Sequence, residues 1–150
     1  MISIGGMAAK KPENDDEQTA SFAEKISEAA FCVHSELGPG LGESVYYECF
    51  ERELKHMKMN VESGVPFSIR YRKKNIKNAF IADFIIENTA LVFIRAEEKS
   101  AMHEMEIRSY LKHSGLTEAY ILNFRVSDMR DGIIKASFRP GWVDARKSAN

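Results

Sequence analysis

What the chain lacks narrows it before any motif is read. Its two cysteines, Cys32 and Cys49, form no CxxC spacing. That excludes a disulfide framework and a cysteine-based zinc site, and predicts two small buried apolar side chains in a reducing compartment. There is no run of about 18 apolar residues, so no membrane-spanning helix is expected. Residues 1–9 are too short and too weakly patterned for a signal peptide, which makes the cytoplasm the expected location. Net charge is scarce as well: 21 Lys+Arg against 22 Asp+Glu leave -1. A polyanion binder built on overall charge is thereby excluded, and only a local basic patch remains open. No Gly-rich phosphate loop, nucleophile elbow, Cys/His couple or internal repeat is present. What remains is 150 residues, one domain by length and enough to bury a real core.

Residues 1–18 read as a disordered leader, because Lys10 to Glu17 carries charge without any apolar period. A folded domain is expected over residues 19–139, followed by a flexible tail, 140–150, in which Trp142 is the apolar exception. Ser21-Phe22-Ala23-Glu24 has capping-box spacing, and Phe22, Ile26, Ala29, Ala30, Val33 and Leu37 give one helical face. Gly38-Pro39-Gly40 ends that helix. A second helix is predicted over residues 43–58, with Val45, Tyr46, Cys49, Phe50, Leu54 and Met57 inward and Glu43 favoured by the helix dipole in its first turn. Alternation then predicts a strand through Val61, Val65, Phe67, Ile69 and Tyr71, turning near Lys73-Lys74-Asn75. Two apolar strands over residues 79–96 meet at Glu87-Asn88-Thr89. Helical spacing returns over residues 101–113 through Met102, Met105, Tyr110 and Leu111, and Gly115 closes it. Short strands follow at residues 119–124 and 132–138. The order helix, helix, three strands, helix, two strands predicts an α/β mixed sheet with helices on its faces.

Two charges interrupt the apolar hairpin, Asp83 and Arg95. A two-residue loop would set Asp83 opposite Ile94, whereas a three-residue loop unites Asp83, Phe93 and Arg95 on one face. A buried charge is costly unless paired or bound. The hairpin therefore predicts an Asp83–Arg95 contact, either as a structural pair or as part of a site. Arg70, Arg72, Lys73, Lys74 and Lys77, with Tyr71 among them, crowd the first hairpin's turn. Such a cluster suits nucleic-acid phosphates, although hairpin tips are also where solvated lysines normally sit. His34 and His103 have no partner at metal spacing and read as hydrogen-bonding residues.

Residues 33–46, VHSELGPGLGESVY, resemble the signature of the bacterial GxxExxY protein family, with Gly40, Glu43 and Tyr46 at the three named positions. The likeness continues through Val65-Pro66, Ala82-Asp83-Phe84, His103-Glu104, Tyr110-Leu111 and Leu122-Asn123-Phe124, and covers roughly residues 22–138. That family is placed among PD-(D/E)XK nuclease-like folds. The resemblance implies a restriction-endonuclease-like αβββαβ core with an additional N-terminal helix.

It also implies a chemistry. In that superfamily an Asp on one strand, and a Glu followed two residues later by Lys on the next, gather around magnesium, which takes hard oxygen ligands and stabilises charge on phosphate. Asp83 matches the first acid, and Glu43 corresponds to an extra acid from a helix, so Asp83 and Glu43 are the implied metal ligands. At the second acid and the lysine stand Phe93 and Arg95. Phenylalanine cannot ligate a metal, and arginine binds phosphate but is a poor general base. Ile81 replaces an arginine usual before Ala-Asp, and Glu106 replaces a common glutamine. Glu106 is either a relocated acid or a solvated helix residue. Glu97 and Glu98 read as surface charges. Three functions follow: a nuclease-like domain with a degenerate metal site that binds nucleic acid with weak or no phosphodiester hydrolysis; a non-enzymatic protein-interaction module; and an active magnesium-dependent nuclease rearranged around Asp83, Glu106 and Glu43. A homodimer in which a second subunit completes the site stays open.

Overall fold

The computed structural model describes the backbone of residues 14–138 and the side chains of residues 22–138. Residues 1–13 of the expected leader, and the tail with Trp142, lie outside the described residues. The first helix, α1 (Asn14–Leu37), begins upstream of Ser21. Residues 14–18 are therefore helical rather than part of a disordered leader, and Ser21 lies within the helix instead of capping it.

Helix α1 buries Ile26, Ala29, Ala30 and Val33, the stripe its spacing predicts. It stops at Gly38, whose φ of 74 is left-handed and whose N–H donates to the His34 carbonyl at 2.8 Å, a glycine cap. Cys32 on this helix is exposed, not buried as expected. Helix α2 (Glu43–His56) buries Tyr46, Phe50 and Leu54, but Val45 faces outward.

Tyr46 fastens the turn between these helices. Its hydroxyl donates to the Gly38 carbonyl and accepts from the Leu41 N–H at 3.1 Å, while its ring stacks on Phe124 at 4.6 Å. Tyr46→Phe removes only the oxygen, leaving both backbone groups without that partner. We expect a loss of about 1–3 kcal/mol in unfolding free energy, measurable by urea denaturation.

Five strands form one sheet in the order β1 (Val61–Tyr71), β2 (Lys74–Ile86), β3 (Ala90–Arg95), β4 (Glu118–Asn123) and β5 (Ile133–Ser137). All neighbours are antiparallel except β3 and β4. A parallel pair needs a crossover, and helix α3 (Met102–Ser114) supplies it. Helices α1 and α2 cover one face over Phe84, Ile86, Val92, Ile94, Tyr120 and Leu122. Helix α3 covers the other over Leu91, Phe93, Ala119 and Ile121. The predicted α/β architecture is thus present, with the αβββαβ order running from α2 to β4.

The inward stripe of α3 differs from the expected one. His103, Ile107 and Leu111 are buried, whereas Met102 and Met105 are 62% and 61% exposed. His103 stands one helical turn before Ile107, so the buried residues recur every four positions with a polar ring at their head. No helix among the described residues is long and apolar enough to cross a membrane.

Candidate functional site

The site is built where β2 parts from β3. Their pairs Ile86↔Ala90, Ile85↔Leu91 and Phe84↔Val92 define a three-residue loop. Glu87 and Asn88 take left-handed φ values of 52 and 53, and the loop is pinned from outside. Asn60 accepts from the Glu87 N–H, and its own N–H donates to the Glu87 carboxylate, both at 2.8 Å. Asp83 therefore falls level with Phe93, as the longer-loop alternative requires.

The ladder stops at Phe84↔Val92. Alternation would put Phe80, Ala82, Phe84 and Ile86 on one face, yet Phe84 and Ile86 join the core under α1 and α2, while Phe80 and Ala82 join the core under α3. The change falls at Asp83, level with Gly64 on β1, whose φ of 60 is left-handed. Beyond that point β2 offers β3 no backbone carbonyls. Carboxylates take their place. Asp83 Oδ2 accepts from the Ile94 N–H at 2.7 Å, and the Glu43 carboxylate, at the start of α2, lies near enough to the Ala96 N–H for that dipole to favour its charged form. These two amides lie two residues apart along one strand edge, roughly 6.6 Å. The Tyr47 hydroxyl also donates to the Asp83 carbonyl at 3.3 Å, tying α2 to the same corner.

The expected Asp83–Arg95 contact is not formed. Asp83 Oδ2 is held by the strand amide, and Arg95 reaches the other way. Its Nη2 meets Glu106 Oε1 at 3.5 Å, its Nη1 donates to the Ile94 carbonyl at 3.0 Å, and its guanidinium lies 5.6 Å from the Phe93 ring centre. Glu106 faces the site from α3 and also accepts from the Tyr110 hydroxyl at 3.2 Å, so it is not simply a solvated helix residue. Phe93, 2% exposed, packs against Tyr110 at 4.6 Å and Phe80 at 6.3 Å.

Asp83, Glu43, Arg95 and Glu106 are thus gathered around the end of β3. Burial pushes the Asp83 carboxyl up, opposed by the Ile94 amide and by Arg95. Burial also raises Glu43; Arg95 and the Ala96 amide oppose it, and Asp83 and Glu97 add to it. One guanidinium moderates a set of carboxylates that would otherwise repel.

A folded-state value above the unfolded one means that the native state holds the proton more tightly. That contribution is full below the ordinary Asp value of 3.8 and is lost as pH rises through the raised value. Asp83→Asn keeps an acceptor for the Ile94 amide and removes the charge. It is expected to equal or exceed the parent in stability at pH 7 and to flatten the loss of stability between pH 4 and neutrality. Asp83→Ala leaves the amide without that partner and should cost about 1–3 kcal/mol. Thermal melts of the three proteins across pH check both signs.

The linkage of Glu97, His103 and Asn123 near the site escaped the sequence reading. Glu97 is exposed, as expected of a surface charge, and its Oε2 also lies 2.6 Å from His103 Nε2. A carboxylate only accepts, so Nε2 carries the proton. His103 is 3% exposed, and its Nδ1 is a buried atom with no hydrogen-bond partner among the described residues. Asn123, at the end of β4, donates to the Glu97 carbonyl at 2.9 Å and accepts from the Glu97 N–H at 3.2 Å. A lone amide closing an apolar run was the available signal for Asn123. His34 and His103 are both hydrogen-bonded, His34 to the Val126 carbonyl at 2.7 Å. A cleft of about 430 Å³ opens beside the site between Glu97, His103, Met105, Glu106 and Tyr110.

The five cations Arg70, Arg72, Lys73, Lys74 and Lys77 are elsewhere, on and beside the β1–β2 tip. Lys77 and Lys74 are six and nine residues before Asp83 on β2, roughly 20 and 30 Å along the strand. Among the described residues, no group of three or more His, Cys, Asp or Glu could hold a metal ion. A family model described as the PD-(D/E)XK nuclease superfamily matches residues 20–136. No curated protein and no solved structure matches the chain.

Proposed function

Because the chain belongs to the PD-(D/E)XK nuclease superfamily, we propose that it is a nuclease-like domain with a degenerate metal site, which binds a nucleic-acid backbone and hydrolyses phosphodiesters weakly or not at all. One observation carries this reading: Phe93, where the resemblance places the second acid, is sealed into an aromatic cluster, and Arg95 is bound to Glu106. The donor set does not fit a resident magnesium ion. Asp83 commits one carboxylate oxygen to a strand amide, and no second acid stands at position 93. The guanidinium that balances Asp83 and Glu43 already supplies the cation such a pocket needs, and as arginine it cannot give up a proton to activate water. What it can do is pair with a phosphate oxygen. Gly40 with φ 103, Glu43 near Ala96 and Tyr46 on the helix–helix turn support placing the chain in the GxxExxY branch.

The test is cleavage of DNA and RNA with magnesium or manganese, alongside binding at low and high salt. The expected result is binding that weakens steeply with salt and little or no cleavage. Metal-dependent cleavage that Asp83→Asn abolishes would overturn the degenerate reading and favour a site rearranged around Asp83, Glu106 and Glu43. The exposed Met102 and Met105 beside the 430 Å³ cleft favour a second reading, a protein-interaction module. Salt-insensitive association, or none with nucleic acid, would point there.

A further inference from the structure

The β1–β2 hairpin outgrows the domain. From Arg70 to Ala79 every residue is exposed, although the segment is two-stranded ribbon, paired from Ile69↔Ile76 to Tyr71↔Lys74 beyond a bulge at residues 77–79 where Asn78 takes a φ of 53. An extended ribbon with solvent on both faces buries almost nothing to sustain itself. Between Ser63 and Ala82 it carries Arg70, Arg72, Lys73, Lys74 and Lys77 and no Asp or Glu, in a chain whose net charge is -1. The turn is Arg72-Lys73, enclosed by the pair Tyr71↔Lys74. Arg72 takes a φ of 55 there, where glycine would be unstrained. A cation occupies a turn position at which the backbone favours having no side chain.

The register sorts the ribbon's side chains. Directly paired residues share a face. Ile69↔Ile76 and Tyr71↔Lys74 lie on one side, and Arg70↔Asn75 on the other. Ile69 packs toward the core under α3, so Arg70 and Asn75 look away from it. Arginine and asparagine are the residues that make bidentate hydrogen bonds to guanine and adenine edges in the major groove.

Resting on the reading of the chain as a nucleic-acid binder, we propose that this ribbon enters the major groove of B-form duplex DNA, with Arg70 and Asn75 facing base edges and Arg72, Lys73 and Lys77 on the flanking phosphates. The dimensions agree. Two strands about 4.8 Å apart with their side chains fit a groove about 12 Å wide. The deep, narrow major groove of A-form RNA would not admit the ribbon. The opposite face, with Tyr71 and Ile76 62% and 45% exposed, looks out of the groove.

The test is selection by the full chain from a randomised DNA duplex, followed by titrations with selected duplex, random duplex, RNA duplex and single strands. A short consensus should emerge, with duplex DNA preferred. In an Arg70→Ala/Asn75→Ala double variant the preference should collapse, losing about 5- to 150-fold discrimination at each base pair these residues read. Lys73→Ala and Lys77→Ala should weaken binding to every duplex alike and flatten the salt dependence by about 0.9 per phosphate contact removed. All these positions are exposed, and circular dichroism of each variant should match the parent. Duplex binding without a consensus, an unchanged consensus in the double variant, or equal affinity for RNA duplex or single strands would overturn the groove reading and leave the backbone-binding proposal standing. No binding to any of the four probes at low salt would overturn both.

Discussion

Phe93→Ala is expected to lower the unfolding free energy by about 3–5 kcal/mol, seen as a fall in the urea midpoint at constant m. The ring is surrounded by Phe80, Tyr110 and the Arg95 guanidinium, and Ile107 and Leu111 close the same core. Truncation would leave a cavity that strand β3, paired on both sides up to Val92, is poorly able to collapse. Phe93→Leu refills much of the volume and should recover a large part of the loss. Phe93→Glu would restore the acid that the superfamily pattern has there, yet it should be the least stable of the three, because it puts a charge into an aromatic core beside Glu106. The aromatic cluster is therefore an obstacle to metal chemistry as well as a source of stability. Reinstating one ligand would not rebuild a site whose space has been filled.

Removal of Arg95 is expected to have the second largest effect. Arg95→Ala should cost about 1.5–3 kcal/mol at pH 7, below the range for fully buried pairs because the Arg95 and Glu106 side chains retain 18% and 33% exposure. The pH dependence identifies the cause. With the guanidinium gone, the Asp83 and Glu43 carboxyls lose a neighbour that opposes their upward displacement. Their folded-state values rise further, and the deficit grows as pH increases through them. The cost should be greatest at neutral pH and shrink as pH falls through the raised values and then below the ordinary ones of 3.8 and 4.5, where the carboxyls become protonated in both states. Arg95→Lys should recover charge but not the simultaneous reach to Glu106 and the Ile94 carbonyl, and so rescue only part. A deficit constant from pH 4 to pH 8 would show that Arg95 acts through packing on Phe93 alone.

Much of this architecture was legible because it rests on local rules. Gly38 ends α1, the period change after Asn60 marks the first strand, and the parallel β3–β4 pair follows from the helix between them. What was not legible depends on distant residues. The hairpin loop could have held two or three residues; Asn60, well before it in sequence, holds Glu87 and fixes three. Asp83 and Arg95 stand on neighbouring strands and would pair by charge alone, but β2 leaves β3 there, and the freed Ile94 amide lies closer to hand. The expected stripe of α3 runs through Met102 and Met105 because hydropathy favours methionine over histidine, whereas Ile107 and Leu111 set the phase that turns His103 inward, and the Glu97 carboxylate satisfies its Nε2. Charge pairing between helix and strand, as in Arg95–Glu106, leaves no periodic trace.

The two carboxylates on the edge of β3 imitate a missing strand. An edge that loses its neighbour normally exposes amides that invite another chain to add itself. Asp83 and Glu43 occupy that position with side chains, one from a strand and one from a helix, so the end of β3 is closed without a further β-partner. They protect against aggregation whether or not they ever meet a phosphate. Alanine at position 43 or 83 should thus lower solubility and promote self-association through β3, with asparagine or glutamine restoring the parent's behaviour. Loss of function in an alanine scan at these acids would then follow from a reopened sheet edge, and the amide variants separate that from chemistry.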